Sequence, residues 1–377
     1  MRLAFIGQKG LPATVGGVER YVEDLAKQLA QSGHEVFAYT RPHYTGPGLT
    51  VYQGVTVIGV PSINTTQLDA ISHTLLASIH AIWQDFDVIH YQSIGPALTC
   101  WLPKLFNHKL KVVATLQSRD YEHQKWGSFA QLSLRLGEYL MCLFADEIVV
   151  VTEDMLRYVE TKYNRTATYI PNGATLHGPE NSNLLSQWNL APDNYIVAIS
   201  RLVRHKGLAY LIQAFKALDT DKKLVIVGDS ACSDDYVLEL KALAKGDSRI
   251  IFTGSQTGEA LAQLYAHAYL FVQPSESEGL SLALLEAMAR RRAVLVSDIP
   301  ENLSAIGTTG FIFANKNIAD LQAKLSYLLG NPELVKARGE EARLRIETHF
   351  NWEHIAHHMA LLYGETRRSS WLVRHSD

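Results

Sequence analysis

The sequence has few cysteines and little net charge, and each shortage excludes a class of protein. Its 377 residues include three cysteines, Cys100, Cys142 and Cys232, which lie far apart and lack Cys-x-x-Cys spacing. They predict reduced core thiols and argue against a disulfide framework or a cysteine zinc site. The net charge of −3 gives no support for nucleic-acid binding.

Long apolar runs are also missing. No run approaches the ~18–20 apolar residues that a membrane-spanning helix requires. The apolar start at residues 3–6 ends at a glycine, so it is too short for a signal peptide. We therefore expect a cytoplasmic protein, in which the sequons at Asn64, Asn164 and Asn302 stay unglycosylated.

What the sequence does contain is a regular alternation of strands and helices. Apolar runs predict strands at 2–7, 35–40, 55–60, 88–92, 110–117, 147–152, 195–200, 223–228, 249–254, 268–273 and 293–297. Helices are expected at 18–31, 68–84, 95–107 and 128–145, and from 319 onward. This alternation predicts an α/β fold with parallel sheets. The length suits two domains, 1–173 and 174–351, with the polar stretch 174–194 at the boundary.

The second half is organised around the stretch 274–289. A buried strand leads into a loop that carries Glu278, and Glu286 lies about two turns inside the following apolar helix. Gly279 allows a ligand to approach the backbone, and the amides of Leu280 and Ser281 are expected at the helix start without intrahelical partners. Two carboxylates and free amides at the carboxyl edge of a sheet predict a site for hydroxyl and phosphate groups.

These residues carry a family resemblance. The pattern Glu278-x7-Glu286, within Pro-Ser-x-x-Glu-Gly-x-x-Leu-x-x-Leu-Glu-Ala-Met-Ala, resembles the signature of the retaining glycosyltransferases of the glycogen-synthase-like family four. That family has the GT-B architecture, with two facing Rossmann-like domains and an interdomain cleft. The resemblance implies that Glu286 binds the donor ribose and Glu278 the transferred sugar. The alternative is an ordinary solvated helix pair, although the apolar helix leaves few exposed positions.

A basic loop follows the strand at 195–200. Ser200-Arg201-Leu-Val-Arg204-His205-Lys206-Gly resembles a second family motif, in which the residues at Arg201 and Lys206 clamp the donor diphosphate. Arginine offers a bidentate fork and lysine a compact charge, so both suit a phosphate. The alternative is a solvated basic turn, and Arg204 and His205 are expected to face solvent.

Three glycine-containing turns complete the expected donor site. Gly16-Gly17 at a helix start resembles the family's glycine pair beside the diphosphate, although a tight turn alone would also explain it. The surrounding loop lacks Gly-x-Gly-x-x-Gly, so a dinucleotide fingerprint is absent. Gly228, Gly254 and Ser255 end two strands where the family contacts the base.

The loop after the strand at 110–117 resembles a bacterial polysaccharide subgroup of the family. Asp120, Lys125 and Trp126 match its loop motif, and the resemblance places them on the acceptor side. Gln117 stands where the family usually has a histidine that touches the donor sugar. This departure at Gln117 leaves the donor sugar open. His123 is out of register with that histidine and is expected on the acceptor side or at the surface.

Two groups of residues suggest a metal site, and we favour another interpretation of each. Asp85 and Asp87 form an Asp-x-Asp pair, but they precede a strand and so lie at the amino edge of the sheet. His354, His357 and His358 have no carboxylate or cysteine at supporting spacing, which is typical of an exposed helix face. We therefore expect neither a metal nor another cofactor.

Taken together, the motifs predict an enzyme that moves a hexose-type sugar from a nucleoside diphosphate to a hydroxyl acceptor with retention. The acceptor would be a glycan or a lipid-linked glycan in envelope or exopolysaccharide assembly. A phosphorylase or epimerase on the same architecture, or a non-catalytic nucleotide-sugar-binding partner, remains an alternative.

By resemblance, a closing helix near 352–377 returns to the first domain. The basic and aromatic tail 367–374 can contact an anionic membrane or simply fray. The oligomeric state stays open.

The two cations of the basic loop generate the first prediction. We expect Arg201→Ala and Lys206→Ala each to lower the rate by ~10²–10³, because each removes a charge that stabilises the leaving diphosphate. Activity should persist in EDTA, since the cations replace a metal. Steady-state assays with and without chelator test this, and a strict manganese requirement would contradict it and favour the Asp85/Asp87 site.

Overall fold

The computed structural model describes residues 1–14, 16–46, 48–65, 68–119, 121, 128–178, 180–230 and 234–364. The chain forms two compact units. Unit 1 contains Met1–Asn172 together with the carboxyl-terminal segment from Trp352, and unit 2 contains Gly173–Asn351. The division between the units thus falls one residue before the boundary that the sequence analysis places after residue 173.

Unit 1 consists of a mainly parallel sheet and the helices that cover it. Its strands are β1 (Arg2–Ile6), β2 (Glu35–Thr40), β3 (Val51–Tyr52), β4 (Val55–Gly59), β5 (Val88–Gln92), β6 (Lys111–Leu116), β7 (Glu147–Val150) and β8 (Thr168–Tyr169). Its helices up to this point are α1 (Gly17–Gln31), α2 (Pro42–Thr45), α3 (Asp69–Ile82), α4 (Leu102–Phe106), α5 (Ser128–Phe144) and α6 (Glu153–Tyr163). A short 3₁₀ helix, Pro96–Thr99, precedes α4.

Unit 2 repeats the same alternation. Its strands are β9 (Tyr195–Ile199), β10 (Lys223–Val227), β11 (Ile250–Gly254), β12 (Leu270–Gln273), β13 (Val294–Ser297) and β14 (Phe311–Phe313). Its helices are α7 (Leu208–Lys216), α8 (Asp234–Ala244), α9 (Gly258–Ala266), α10 (Leu282–Ala289), α11 (Pro300–Ile306), α12 (Ile318–Leu329) and α13 (Pro332–His349). The last helix, α14 (Trp352–Gly364), belongs to unit 1.

Both sheets are doubly wound. The order in unit 1 is β3-β4-β2-β1-β5-β6-β7-β8, and only the short β3 runs antiparallel. The order in unit 2 is β11-β10-β9-β12-β13-β14, with every pair parallel. The direction in which successive strands are added to the sheet therefore reverses between β1 and β5 in unit 1, and between β9 and β12 in unit 2. Ligands of such sheets bind at the carboxyl edge beside this switch point. The predicted Rossmann-like α/β fold is confirmed.

The sheets are apolar because helices cover both of their faces. Every residue of β5 and β6 is buried, as expected for parallel strands inside an α/β domain. In unit 2 the core packs apolar side chains of β9, β10 and β12 against α7 and α12. Cys100 and Cys142 are buried thiols whose pKa is raised to about 12 by burial, which fits the predicted core thiols. Cys232 lies outside the described residues.

Several predicted elements differ from the structure. The helix expected across 95–107 is divided into the 3₁₀ helix and the short α4, and each piece begins with a proline in its first turn. Proline lacks the amide that a helix interior needs, so it suits a helix start. The strand expected to reach residue 152 ends at Val150, because the Thr152 side chain caps α6 by accepting from the amide of Met155. The polar stretch 174–194 contains a 3₁₀ helix, Asn183–Trp188, and belongs to unit 2.

Helix α14 packs against unit 1 through buried rings. The rings of Trp352 and Tyr21 lie 5.8 Å apart, centre to centre. The hydroxyl of Tyr363 lies 2.7 Å from His90 Nδ1, and Thr115 Oγ1 lies 2.6 Å from His90 Nε2. Complete burial lowers the pKa of His90 to about 3. A neutral histidine therefore joins α14 to β5 and β6. Among the described helices, none is long and apolar enough to cross a membrane.

This buried histidine predicts an acid-labile unit 1. His90 has a lower pKa folded than unfolded, so its stabilising effect is complete above pH ~6.5 and declines as the pH falls toward 3. Each pH unit in that window should cost about 1.4 kcal/mol of unfolding free energy. Calorimetry from pH 7.5 to 4.5 should show a smaller fall in Tm for His90→Phe than for the wild type. Some fall should remain, because burial also lowers the pKa of His73 to about 4. Identical pH dependence in the two proteins would refute this account.

Candidate active site

The candidate site lies at the switch point of unit 2. Strands β9 and β12 are adjacent and parallel, with Leu270 opposite Ile196 and Phe271 opposite Val197. Their carboxyl ends lead into the basic loop after β9 and the glutamate loop after β12. The two sequence motifs, more than 70 residues apart in the chain, are therefore neighbours because parallel strands bring their carboxyl ends to one edge.

An ion pair joins the two loops. Lys206 Nζ lies 2.6 Å from Glu278 Oε1 and 2.7 Å from Oε2, and Ser275 Oγ donates to Oε1 at 2.6 Å. The side chains of Lys206 and Glu278 are only 14% and 8% exposed. Removing one partner from such a pair leaves the other charge poorly solvated. The structure thus pairs directly two residues that the sequence analysis assigned to different parts of a donor.

The backbones of the same two loops also touch. Gly207 has φ +67°, and a Cβ built there would lie 1.9 Å from the carbonyl oxygen of Pro274. The amide of Glu276 donates to the carbonyl of His205 at 2.8 Å. Only glycine allows this approach, since any side chain at position 207 would displace the Pro274 backbone. These contacts set the separation of the loops and hence the geometry of the Lys206–Glu278 pair.

A second carboxylate in the glutamate loop escaped the sequence analysis. Glu276 accepts a hydrogen bond from the hydroxyl of Tyr210 at 2.7 Å, and Lys316 Nζ lies 2.8 Å from its other oxygen. The hydrogen bond to Glu276 and burial raise the pKa of Tyr210 to about 12. The sequence offered one signal for this residue, a second glutamate two positions before Glu278 in the same loop. Glu276 holds the loop to α7, and Glu278 meets Lys206.

The start of α10 lies later than the sequence analysis expects. The helix begins at Leu282, and Ser281 is its N-cap, with the side chain accepting from the amide of Leu284 at 3.3 Å. The Ser281 hydroxyl also donates to Gln273 Oε1 at 2.7 Å. Leu280 is buried and Gly279 half-buried, both before the helix. The expected helix-start amides therefore belong to the N-cap and the residue before it.

Glu286 has different neighbours from Glu278. It forms an ion pair with Arg290, the C-cap residue directly after α10, and His177 Nε2 lies 3.7 Å from its Oε2. The guanidinium of Arg290 in turn packs over the ring of Tyr265 at 5.3 Å. The Glu286 side chain is 16% exposed. Its carboxylate is thus oriented by a cation at the end of its own helix.

Unlike Lys206, Arg201 has a side chain that is exposed and able to bind a ligand. Its side chain is exposed, and the structure shows no hydrogen bond or ion pair for it among the residues described. Beside it, Gly228 has φ +142°, and a Cβ there would lie 1.9 Å from the Ser200 carbonyl oxygen. The amide of Gly228 donates to the carbonyl of Gly254 at 2.9 Å, and Ser255 is exposed. The turns after β9, β10 and β11 thus meet at one edge beside an unpaired guanidinium.

In unit 1, the expected phosphate position is occupied by a carboxylate. Helix α1 begins at Gly17, and a Cβ at Gly16 would lie 2.0 Å from Glu19 Oε2. The other oxygen of Glu19 accepts from the amide of Lys9 at 3.1 Å, and the residue is 6% exposed. Carboxylates are favoured at helix N-termini for the same reason as phosphates. The expectation that Gly16 and Gly17 meet a diphosphate therefore requires Glu19 to move.

Gln117 lies at the carboxyl end of β6 and is 7% exposed. Its Nε2 donates to Gln92 Oε1 at 3.3 Å, where β5 ends. A neutral amide pair thus takes the place that a family histidine would hold. Asp120, Lys125 and Trp126, the predicted acceptor-side residues, lie outside the described residues, as does His123.

The two metal-like groups behave as structural features. Asp87 Oδ2 accepts from the amide of Arg2 at 2.7 Å, and Arg2 Nη1 donates to the carbonyl of Asp85 at 2.8 Å, at the amino edge of the sheet. The three histidines of α14 are exposed. Over the ranges that the structure describes, no group of three or more histidine, cysteine, aspartate or glutamate side chains is placed to hold a metal ion.

The contact between the loops predicts an unusually costly glycine substitution. Gly207→Ala should lower the unfolding free energy by more than about 3 kcal/mol, because it adds left-handed strain to a backbone collision. The matched control is Gly246→Ala, where φ is +87° but no atom lies within 4 Å of the built Cβ. That variant should lose only about 1–2 kcal/mol. Equal losses in urea titrations would contradict the proposed contact.

Comparison with known proteins assigns both halves of the chain. Residues 15–177 match the family model described as Glycosyltransferase Family 4, and residues 183–345 match the model described as Glycosyl transferases group 1. The N-acetyl-alpha-D-glucosaminyl L-malate synthase of Bacillus anthracis is 26% identical over 94% of this chain and 95% of its own length.

Solved structures show the same fold. HepE of Anabaena, in complex with UDP-glucose, superposes with a TM-score of 0.79 at 19% identity, covering 96% of this chain and 99% of its own. WaaG, described as a glycosyltransferase involved in lipopolysaccharide biosynthesis, gives a TM-score of 0.75 at 19% identity, covering 97% and 100%. With two doubly wound units and family matches along both, the chain belongs to the family-four glycosyltransferases of GT-B architecture.

Proposed function

We propose that this enzyme transfers a hexose-type sugar from a nucleoside diphosphate to a hydroxyl acceptor with retention of configuration. The observation that carries the proposal is the Lys206–Glu278 ion pair at the switch point of unit 2, beside the exposed Arg201. A cation for phosphate, a carboxylate for hydroxyls and an unpaired guanidinium are the groups that a nucleotide sugar requires. HepE, which shares the fold, binds UDP-glucose.

The ion pair suggests how the donor is accommodated. Glu278 holds Lys206 in place before the diphosphate arrives, so the ammonium is positioned with its own charge already paired. As a diphosphate approaches, Lys206 can share its protons between Glu278 and phosphate oxygens, because an ammonium has three donors. One oxygen of Glu278 then becomes available to accept from a hydroxyl of the transferred sugar. Arg201 adds a bidentate contact to the same phosphates.

The same groups account for the chemistry. Bond cleavage places negative charge on the leaving diphosphate, and fixed cations at that position stabilise the transition state. In the retaining mechanism, the diphosphate helps to deprotonate the incoming hydroxyl on the same face of the sugar, so a separate protein base is unnecessary. We propose that Arg201 and Lys206 perform the role that a metal ion has in other transferases.

The remaining donor contacts follow the same edge of unit 2. Glu286 is proposed to accept hydrogen bonds from the two ribose hydroxyls, since one carboxylate spans a vicinal diol. Its pairing with Arg290 keeps the carboxylate oriented. The glycine turns at Gly228 and Gly254, with Ser255, are proposed to contact the base. In unit 1, Gln117 is proposed to offer a neutral amide to the sugar at every pH.

The acceptor is proposed to be a glycan or a lipid-linked glycan in envelope or exopolysaccharide assembly. The structural similarity to WaaG, a glycosyltransferase of lipopolysaccharide biosynthesis, supports this class of acceptor. A lipid-linked acceptor would place the enzyme at the inner face of a membrane, in peripheral contact.

A donor screen tests the proposal. Thermal shift with UDP-, GDP- and ADP-sugars should raise the Tm for one base, since ligand binding stabilises the folded state. NMR of the product should then show the anomeric configuration of the donor. An inverted product would refute the retaining mechanism. Donor binding without transfer or hydrolysis across a wide acceptor panel would favour the non-catalytic alternative.

The two glutamates should differ kinetically. Glu286→Ala should mainly raise the donor KM, because a ribose contact is equal in ground and transition states. Glu278→Gln should mainly lower kcat, by ~10–100-fold, because its negative charge faces a sugar that becomes cationic. Steady-state kinetics of both variants decide this, with Glu340→Ala on the exposed surface of α13 as control. The opposite pattern would exchange their roles.

A further inference from the structure

Helix α3 has the reverse of the amphipathic pattern that is usual for a helix at a protein surface. Its inward side carries small and polar residues, including His73, Thr74 and Ser78, all of which are buried. Ser78 Oγ bonds the hydroxyls of Tyr91 and Thr99 at 2.8 and 2.9 Å. Surface helices normally place apolar residues inward and polar ones outward. The outer side of α3 therefore needs an explanation other than solubility.

The outer side of α3 is mainly apolar, with His80 as an exposed polar residue in its last turn. Leu75, Leu76 and Ile79 are 40%, 41% and 43% exposed, and Trp83, directly after the helix, is 76% exposed. Single exposed apolar residues are normal on protein surfaces, but a contiguous row is not. The row continues the length of the helix, so it forms a stripe.

Helix α5 presents a similar stripe beside it. Leu132, Leu136, Tyr139 and Leu143 recur every three or four residues and are 66%, 47%, 52% and 53% exposed. This is one face of a helix, because three or four residues make one turn. On the opposite side, a Cβ at Gly137 would lie 2.0 Å from the carbonyl oxygen of Ile94, so that side is packed tightly inward.

The two stripes lie on the same face of unit 1. The segment around the 3₁₀ helix lies between α3 and α5: Thr99 bonds Ser78 of α3, and Cys100 Sγ donates to the carbonyl of Leu140 of α5 at 3.5 Å. Helix α4 adds Leu105 and Phe106, which are 61% and 64% exposed. We name the outer sides of α3, α4 and α5 the apolar face.

The charge of the apolar face is one-sided. Residues 70–82, 104–109 and 130–144 contain a single acidic residue, Glu138, whose side chain is fully buried. The whole chain has 38 acidic residues in 377, so about three would be expected in segments of this length. The exposed charges of these segments are Arg135 and Lys109. The outer sides of these helices thus combine leucine, isoleucine and aromatic side chains with the exposed cations, while Asp69, the first residue of α3, is only 17% exposed and pairs with Arg41 at 2.7 Å.

We propose that the apolar face of α3, α4 and α5 docks unit 1 onto an anionic lipid bilayer, with the helices lying in the plane of the headgroups. Apolar side chains, interfacial tryptophan and tyrosine, and basic residues without acidic ones are the chemistry of such a surface. The proposal rests on the proposed peripheral contact with a lipid-linked acceptor, and it assigns that contact to described helices rather than to the tail.

A second copy of the chain fits the same face less well. A two-fold interface brings the same patch of each subunit together. Arg135 and Lys109 would then face other cations, with no exposed carboxylate in these segments to pair with. Protein interfaces of ordinary size also form about one hydrogen bond per 100–200 Å², whereas the exposed residues of these stripes are mainly hydrocarbon. An anionic bilayer supplies the missing negative charge and accepts the hydrocarbon.

Sedimentation with vesicles tests the proposal without donor or acceptor. The full chain should bind vesicles that contain phosphatidylglycerol, and it should bind pure phosphatidylcholine more weakly. The combined substitution Leu75→Gln, Ile79→Gln, Leu136→Gln and Leu143→Gln should weaken binding at least ~tenfold, because it removes four inserted side chains. The matched control Leu238→Gln with Leu344→Gln changes residues of unit 2 that are 62% and 60% exposed, and it should bind like the wild type.

Two further measurements keep the result interpretable. Arg135→Gln should retain the fold and reduce the preference for anionic vesicles, so it tests the face even where the combined variant misfolds. Brominated lipids should quench the fluorescence of Trp83, and Trp83→Phe should remove that part of the quenching.

No wild-type binding to anionic vesicles, or equal binding by the combined variant, would overturn the proposal. So would a wild-type dimer that the combined variant dissociates. Donor thermal shifts should stay unchanged in the combined variant, which separates failure of the face from failure of the proposed transfer.

Discussion

The candidate site depends on the ion pair between Lys206 and Glu278, and that pair depends on a glycine. Gly207 allows its loop to approach the Pro274 backbone, and this places the two side chains within hydrogen-bonding distance. The pair is largely buried, so each charge is supported mainly by the other. The pair is therefore neutral and preorganised before a ligand enters, which lowers the cost of holding the Lys206 cation at the proposed phosphate position.

The two units contribute different chemistry. Unit 2 offers charged groups at its switch point, with Arg201 exposed and Glu286 held by Arg290. Unit 1 offers neutral amides at Gln117 and Gln92. The charged groups of unit 2 suit the diphosphate of the proposed donor, and the neutral amides of unit 1 suit sugar hydroxyls. In unit 1, the Glu19 carboxylate lies beside the glycines that are predicted to meet the diphosphate.

The outer surface of unit 1 adds a constraint that the site does not explain. A helix that buries serine and threonine and exposes leucine and isoleucine is selected by something outside the unit. Ser78 satisfies the tyrosine and threonine hydroxyls of the core, so polar groups inside cost little. The lipid surface that we propose would account for both the composition and the charge of the apolar groups outside.

The sequence by itself determined the α/β class, eleven of the fourteen strands that the structure describes and the motif residues Arg201, Lys206, Glu278 and Glu286, and it missed the short strands β3, β8 and β14. It could do so because buried parallel strands are continuous apolar runs and because the motifs are local. Only the tertiary structure decided which of these residues meet. The Lys206–Glu278 pair and the Glu276–Tyr210 contact join positions more than 65 residues apart, and the carboxylate of Glu19 at the start of α1 depends on side-chain direction. The apolar face also needed the structure, because an inverted helix has the same periodicity as a normal one. Periodicity reports that a helix has two sides, and only packing shows which side is buried.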